Sequence, residues 1–173
     1  LLAARGYKQV TLAAELNHLL DSLQDALDYD QIPQKTQRLQ TYFASCQPTL
    51  SGETLQVDSL QLAGDLERKA NWLRDKIRTQ EWLPAENGLG WFNGYYDNHA
   101  RRVEGMQAGK VYMTLTGQVF PLMCGIATQQ QAQAVIHAVR SYLWDAAVGG
   151  PRLNTDFEDV RMDLGRCFGF AYG

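Results

Sequence analysis

The chain has 173 residues, 45% hydrophobic and 20% charged, an ordinary globular composition with enough apolar material for a core. Its net charge of −3 argues against a nucleic-acid or anionic-membrane partner, because both need basic stripes. No apolar run approaches the ~20 residues that span a bilayer. The three cysteines, Cys46, Cys124 and Cys167, show neither CxxC spacing nor a disulfide framework, so a reducing cytoplasm is the expected compartment.

The chain opens on Leu1 and Leu2 without an initiator Met or a charged-then-apolar leader, and it stops on the aromatic–glycine run Phe168 to Gly173. Both ends read as cuts through a longer polypeptide, and 1–173 reads as a single fragment. Leu12, Leu16, Leu19, Leu20, Leu23 and Leu27 fall at three- and four-residue steps, which predicts a helix over 8–28. Pro33 separates it from a second helix over 34–46, with Leu39, Tyr42, Phe43 and Cys46 on one side. A loop from Pro48 to Glu53 precedes a third helix over 57–80, with Leu62, Leu66, Ala70, Leu73 and Ile77 facing inward. Its charged side chains, Asp65 and Arg78 among them, read as a solvated face.

Residues 83–114 change character, because the glycines at 88, 90, 94, 105 and 109 break any helix. Tyr95, Tyr96 and the stretch from Lys110 to Thr114 suit short extended segments. Thr116 then starts a short helix through Ile126, and Thr128 with Gln131 forms a capping box for a helix over 129–145. That helix is expected to bury Ala132, Val135, Ile136, Val139 and Leu143, with Gly149, Gly150 and Pro151 stopping it. Helices alternating with long polar-aromatic loops suggest a mainly α fold, a helical barrel whose loops build a site on one face.

The richest stretch is Trp91, Phe92, Asn93, Gly94, Tyr95, Tyr96, Asp97 and Asn98, followed by Arg101, Arg102 and Glu104. Buried amides and charges each need a partner, so core segments seldom carry this mixture. Flat aromatic faces meet the C–H side of a pyranose, and Asp, Asn and Arg bind its hydroxyls two at a time. A turn with a Tyr pair in the core, one ring buried and one outside, is the plainer alternative. His18, His99 and His137 lack metal-ligand spacing.

The succession 72–82, 91–98, 101–105, 113–120, 125–128 and 165–173 resembles glycoside hydrolase family 94, the inverting phosphorylases of β-linked gluco-oligosaccharides. It is most similar to members acting on β-1,2-linked glucans, including the phosphorylase-like part of cyclic β-1,2-glucan synthases. The resemblance covers 65–173, and 1–64 only as helices of the expected kind. It implies the later helices of an (α/α)6 barrel, with short β segments and long loops, inside a larger parent. In that family a single Asp, in an Asp-Trp-Asn motif, protonates the glycosidic oxygen while phosphate attacks the anomeric carbon. That motif does not occur in this sequence, nor does the family's Lys-Glu-Asn-Gly phosphate segment, so the fragment by itself is expected to be inactive.

The resemblance also implies the site residues and partners. Asn93, Tyr96, Asp97, Asn98 and Arg101 shape a sugar subsite or buttress the loops that do. The amide of Gln118 meets a sugar hydroxyl or caps its helix. Arg166, Phe170 and Tyr172 are expected at the acceptor subsite, against the alternative of a structural Asp–Arg network over 156–166. No catalytic residue, metal or cofactor is expected on the chain, and inorganic phosphate is the co-substrate of the parent. The partners are a β-glucan oligosaccharide, phosphate and the rest of the parent polypeptide, with a homodimer left open. A non-catalytic carbohydrate-binding or protein-interaction module is the alternative, since aromatics and Arg are enriched at interfaces too.

Overall fold

The computed structural model describes residues 3–20, 28, 30–97 and 99–157. Helices of all kinds make up about half of them, so the chain is mainly helical. The described α-helices are α1 (Ile32–Ser45), α2 (Ser59–Gln80), α3 (Leu115–Met123) and α4 (Gln129–Ala138). Small two-stranded antiparallel sheets precede, separate and follow them in the chain, and no closed barrel forms among the described residues. The chain divides into two compact units, Leu1–Trp72 and Leu73–Gly173, with the division inside α2. No helix of the described residues is long and apolar enough to cross a membrane.

In the first unit, strand β1 (Gln9–Ala13) pairs with β2 (Thr54–Asp58), setting Val10 opposite Val57 and Leu12 opposite Leu55. The helix expected over 8–28 is therefore not formed at its start. Val10 and Thr11 are β-branched, and cross-strand pairing with β2 outweighs the helical spacing of the leucines. A 3₁₀ turn, Ala14–Leu19, follows, and residues 21–27 lie outside the described ones. That turn buries Glu15, whose carboxylate accepts hydrogen bonds from the Ser51 hydroxyl (2.6 Å) and N–H (2.8 Å). The hydroxyl bond above all holds this carboxyl below its ordinary value. Pro33 sits inside the first turn of α1 rather than before it, where its missing N–H costs nothing. Tyr42 on α1 and Cys46, which caps its C-terminal end, are half-buried, whereas Leu39 and Phe43 are exposed.

On α2, Leu62 and Ile77 are half-buried, but Leu66, Ala70 and Leu73 face solvent, contrary to the expected inward stripe. Two charged residues assigned to its solvated face are not free of the protein. Asp65 is buried and clamped by Arg68 (3.3 Å) and Lys69. Arg78 is half-buried, and its Nε donates to the carbonyl of Ile126 at 2.6 Å. Helical spacing identifies which side chains share a face; the neighbouring elements decide which face is covered.

In the second unit, β3 (Trp82–Pro84) pairs with β4 (Gly90–Phe92), and β5 (Gly105–Gln107) with β6 (Lys110–Tyr112). The core joins Trp91, Met113, Ala138 and Leu143. Trp82 meets Phe92 edge to face at 5.0 Å, and Trp91 meets Tyr142 likewise at 5.7 Å. The cap of α3 is Thr114 rather than Thr116, its hydroxyl accepting from the Gly117 N–H at 3.3 Å. The capping box of Thr128 and Gln131 on α4 is present as expected, and the Gln131 amide also donates to the Arg78 carbonyl at 3.0 Å. The α-helical part of α4 ends at Ala138, sooner than expected. A π-type turn, Val139–Leu143, leads into β7 (Trp144–Asp145), which pairs with β8 (Gly150–Pro151). Val135 and Leu143 are buried as expected, while Ile136 is exposed.

Core and surface should separate cleanly on truncation. Met113→Ala and Leu143→Ala should each cost about 2–5 kcal/mol by chemical denaturation, whereas Leu66→Ala should stay within about 0.5 kcal/mol. A loss at Leu66 equal to that at Met113 would contradict the exposed placement of the α2 stripe.

Candidate functional site

Residues 93–97 and 99–104 come together as the two arms of a small irregular hairpin. The Asn93 N–H donates to the Glu81 carbonyl (2.8 Å), the Val103 N–H to the Tyr95 carbonyl (3.1 Å), and Tyr96 bridges Arg102. Asp97 closes its tip. One carboxylate oxygen accepts from the N–H groups of His99 and Arg101, both at 2.8 Å, and the other from Arg101 Nε at 2.6 Å. Burial raises the Asp97 carboxyl, but the bonds from Arg101 and His99 outweigh it and hold the group below its ordinary value. Asp97 and Arg101 are thus brought together as turn chemistry that shapes the loop.

The two tyrosines alternate. Tyr95 packs against Val103 and Phe157, while Tyr96 is 44% exposed. The Tyr96 hydroxyl donates to the carboxylate of Glu81, 2.7 Å from Oε1 and 2.9 Å from Oε2. Asn93 Nδ2 donates to Glu81 Oε2 at 3.0 Å, and Arg102 Nε lies 3.7 Å from the same oxygen. Glu81 was not among the expected site residues. In sequence it is one residue of the 72–82 stretch, just past α2 and beside Trp82, where nothing in periodicity separates it from a surface glutamate.

Glu81, Asn93 and Tyr96 line one cleft of about 440 Å³, together with Ile77, Phe92, Gly94, Thr116, Gly117, Phe120, Pro121, Cys124 and Ile126. One wall is the 93–96 loop and the other is α3 with the segment after it. Phe120, on α3, is 62% exposed. An oriented carboxylate, the two exposed aromatic side chains Tyr96 and Phe120 and an apolar floor suit a neutral polyhydroxylated ligand: hydroxyls on Glu81, a C–H face on a ring.

Behind this cleft lies Glu104, only 2% exposed. Its Oε1 accepts from the Thr114 hydroxyl (2.7 Å) and the Gly94 N–H (3.0 Å); its Oε2 accepts from the Thr114 N–H and Gln118 Nε2, both at 3.0 Å. Burial outweighs these donors and pushes the carboxyl up to about 7. Gln118, 1% exposed, also clasps the Phe92 backbone, accepting its N–H at 2.8 Å and donating to its carbonyl at 2.9 Å. A third acceptor, the Thr114 carbonyl, lies 3.0 Å from its Nε2. The amide is therefore engaged inside the protein and neither caps α3 nor lines the cleft.

Of the expected site residues, the structure brings Asn93 and Tyr96 into the cleft, sets Asp97 and Arg101 at the loop tip, and buries Gln118 beneath. Asn98, Arg166, Phe170 and Tyr172 lie outside the described residues. Among the described residues no three His, Cys, Asp or Glu side chains gather as metal ligands would. Comparison with known proteins finds no family model and no curated sequence that matches this chain.

The Glu104 carboxyl binds its proton more tightly in the folded chain than at its ordinary value of 4.5. Its contribution to stability is therefore complete below pH 4.5 and is lost as pH rises through about 7. Urea titrations across this window should show that fall in the unaltered protein and not in Glu104→Gln. The variant itself should cost about 1–3 kcal/mol, because its NH2 would face N–H donors on either side. An unchanged pH slope in Glu104→Gln would assign the fall to another group.

Proposed function

We propose that this chain supplies the later helices of an (α/α)6 barrel in a phosphorylase of glycoside hydrolase family 94. The parent would cleave β-linked, chiefly β-1,2-linked, gluco-oligosaccharides with inorganic phosphate to give α-glucose 1-phosphate with inversion. The reading rests on the ordered set of motifs from 72 to 173 that resembles that family. The observation that supports it most is the convergence of Tyr96, Asn93 and Glu81 on one cleft from two different parts of the chain.

In this reading the cleft contributes binding and orientation. Tyr96 and Phe120 meet the C–H faces of glucosyl units, and Glu81, held by Tyr96, Asn93 and Arg102, accepts from their hydroxyls. Protonation of the leaving oxygen belongs to the Asp of the Asp-Trp-Asn motif, which this sequence does not contain. Glu104, despite its raised carboxyl, is not among the residues lining the cleft and is no candidate for that acid. Arg166, Phe170 and Tyr172 would serve the acceptor subsite, and the chain by itself would bind sugar without turning it over.

A second reading, a non-catalytic interaction module, draws support from the exposed apolar side chains of Val119, Phe120 and Met123 on α3. The two part on one assay. The full-length protein should release α-glucose 1-phosphate from sophoro-oligosaccharides in preference to cello- and laminari-oligosaccharides, and only with phosphate present. No release from any of the three series would refute the phosphorylase reading.

Binding can be tested separately. Glu81→Gln should weaken sophorotriose binding, and Arg166→Ala should raise the acceptor KM, each about 10- to 150-fold, as loss of a charged hydrogen bond of ~1.5–3 kcal/mol implies. Unchanged values would return either residue to a structural role.

A further inference from the structure

The two walls of the cleft approach each other at Gly94 and Gly117, and both touch the same carboxylate. A Cβ on Gly94 would lie 2.6 Å from the Gly117 Cα and 3.1 Å from Glu104 Oε1. A Cβ on Gly117 would lie 2.7 Å from that oxygen and 3.2 Å from the Gly94 Cα. No side chain fits between the walls, so their separation is fixed by what holds the two glycines together. On the loop wall that is the Gly94 N–H bonded to Glu104 Oε1; on the helix wall it is the Thr114 cap and Gln118, bonded to both oxygens.

We infer that Glu104 is a positioning residue for the cleft: its carboxylate ties the 93–96 loop to the start of α3, and the state of that tie sets the placement of Tyr96 against Phe120. The hydrogen-bond partners of the carboxylate are neutral on every side: Gly94 on the loop, Thr114 ahead of α3 and Gln118 on α3. Asn93 leads from the Glu104 backbone to charged groups. The Asn93 amide donates to Glu81 at 3.0 Å and its oxygen accepts the Glu104 N–H at 3.2 Å, with Arg102 beside Glu81. The same asparagine thereby links the Glu104 backbone to the cleft carboxylate. Loss of the Glu104 charge weakens the acceptor on Oε1, where the loop and the α3 cap meet.

The role of the cleft as a sugar site is the premise proposed above, but the test does not need it. In amide NMR spectra of the full chain between pH 5 and 9, Gly94 and Thr114 should titrate together near the Glu104 value of about 7. Tyr96 and Phe120, on the opposite walls, should follow the same midpoint. Thr114→Val removes a bond that favours the ionised form and should move the shared midpoint upward; Thr114→Ser should restore it. Titration at Gly94 and Thr114 with none at Tyr96 and Phe120 would overturn the inference, as would different midpoints on the two walls. With sophorotriose as probe, Thr114→Val should bind about five- to tenfold more weakly and Thr114→Ser as the unaltered chain. Failure of the unaltered chain to bind sophorotriose would count against the sugar reading, while the NMR result would still decide the tie.

Discussion

One buried carboxylate organises the second unit. Glu104 receives hydrogen bonds from a loop glycine, from the backbone and hydroxyl of the residue that caps α3, and from an amide one turn inside that helix. A buried acid needs each of these donors, since an unmet one costs more than a met one contributes. The constraint runs outward: Gln118 is held where it can clasp Phe92, and Phe92 in turn meets Trp82. Gly94 and Gly117 are small because they lie on either side of this acid.

The polar-aromatic segment at 91–104 consequently has two jobs. Trp91 and Phe92 are buried, the first in the core with Met113 and Leu143 and the second against Trp82. Asp97 and Arg101 close the loop. Asn93 and Tyr96 then carry the segment into the cleft, where they orient Glu81. A single run of residues thus supplies core, turn and cleft wall, and its mixed composition reflects three environments rather than one binding surface.

Local signals were reliable where a bond closes over a few residues. The Thr128–Gln131 capping box, the existence of α1 and α2, and the extended stretch at 110–112 could all be read directly. Signals that depend on a distant partner were not. The leucine spacing at the N-terminal end suggests a helix, but Val10 and Leu12 lie opposite Val57 and Leu55, more than forty residues on. On α2 the leucine stripe is regular, yet Leu66 and Leu73 are exposed and Asp65 is buried.

From sequence alone came a mainly helical chain, the punctuation of its central glycine-rich region, and the polar-aromatic stretch from Trp91 to Glu104 as residues to watch. These rest on local chemistry: periodicity, caps, and the rarity of unpartnered amides in a core. Only tertiary structure picked out Glu81, buried Glu104, and showed Asp97 bonded to Arg101 at the loop tip and Gln118 engaged inside the protein. A glutamate reads the same in sequence whether it sits in water, lines a cleft or is buried. Its role is fixed by the donors that other segments bring to it, and here those come from residues ten to twenty positions away in sequence.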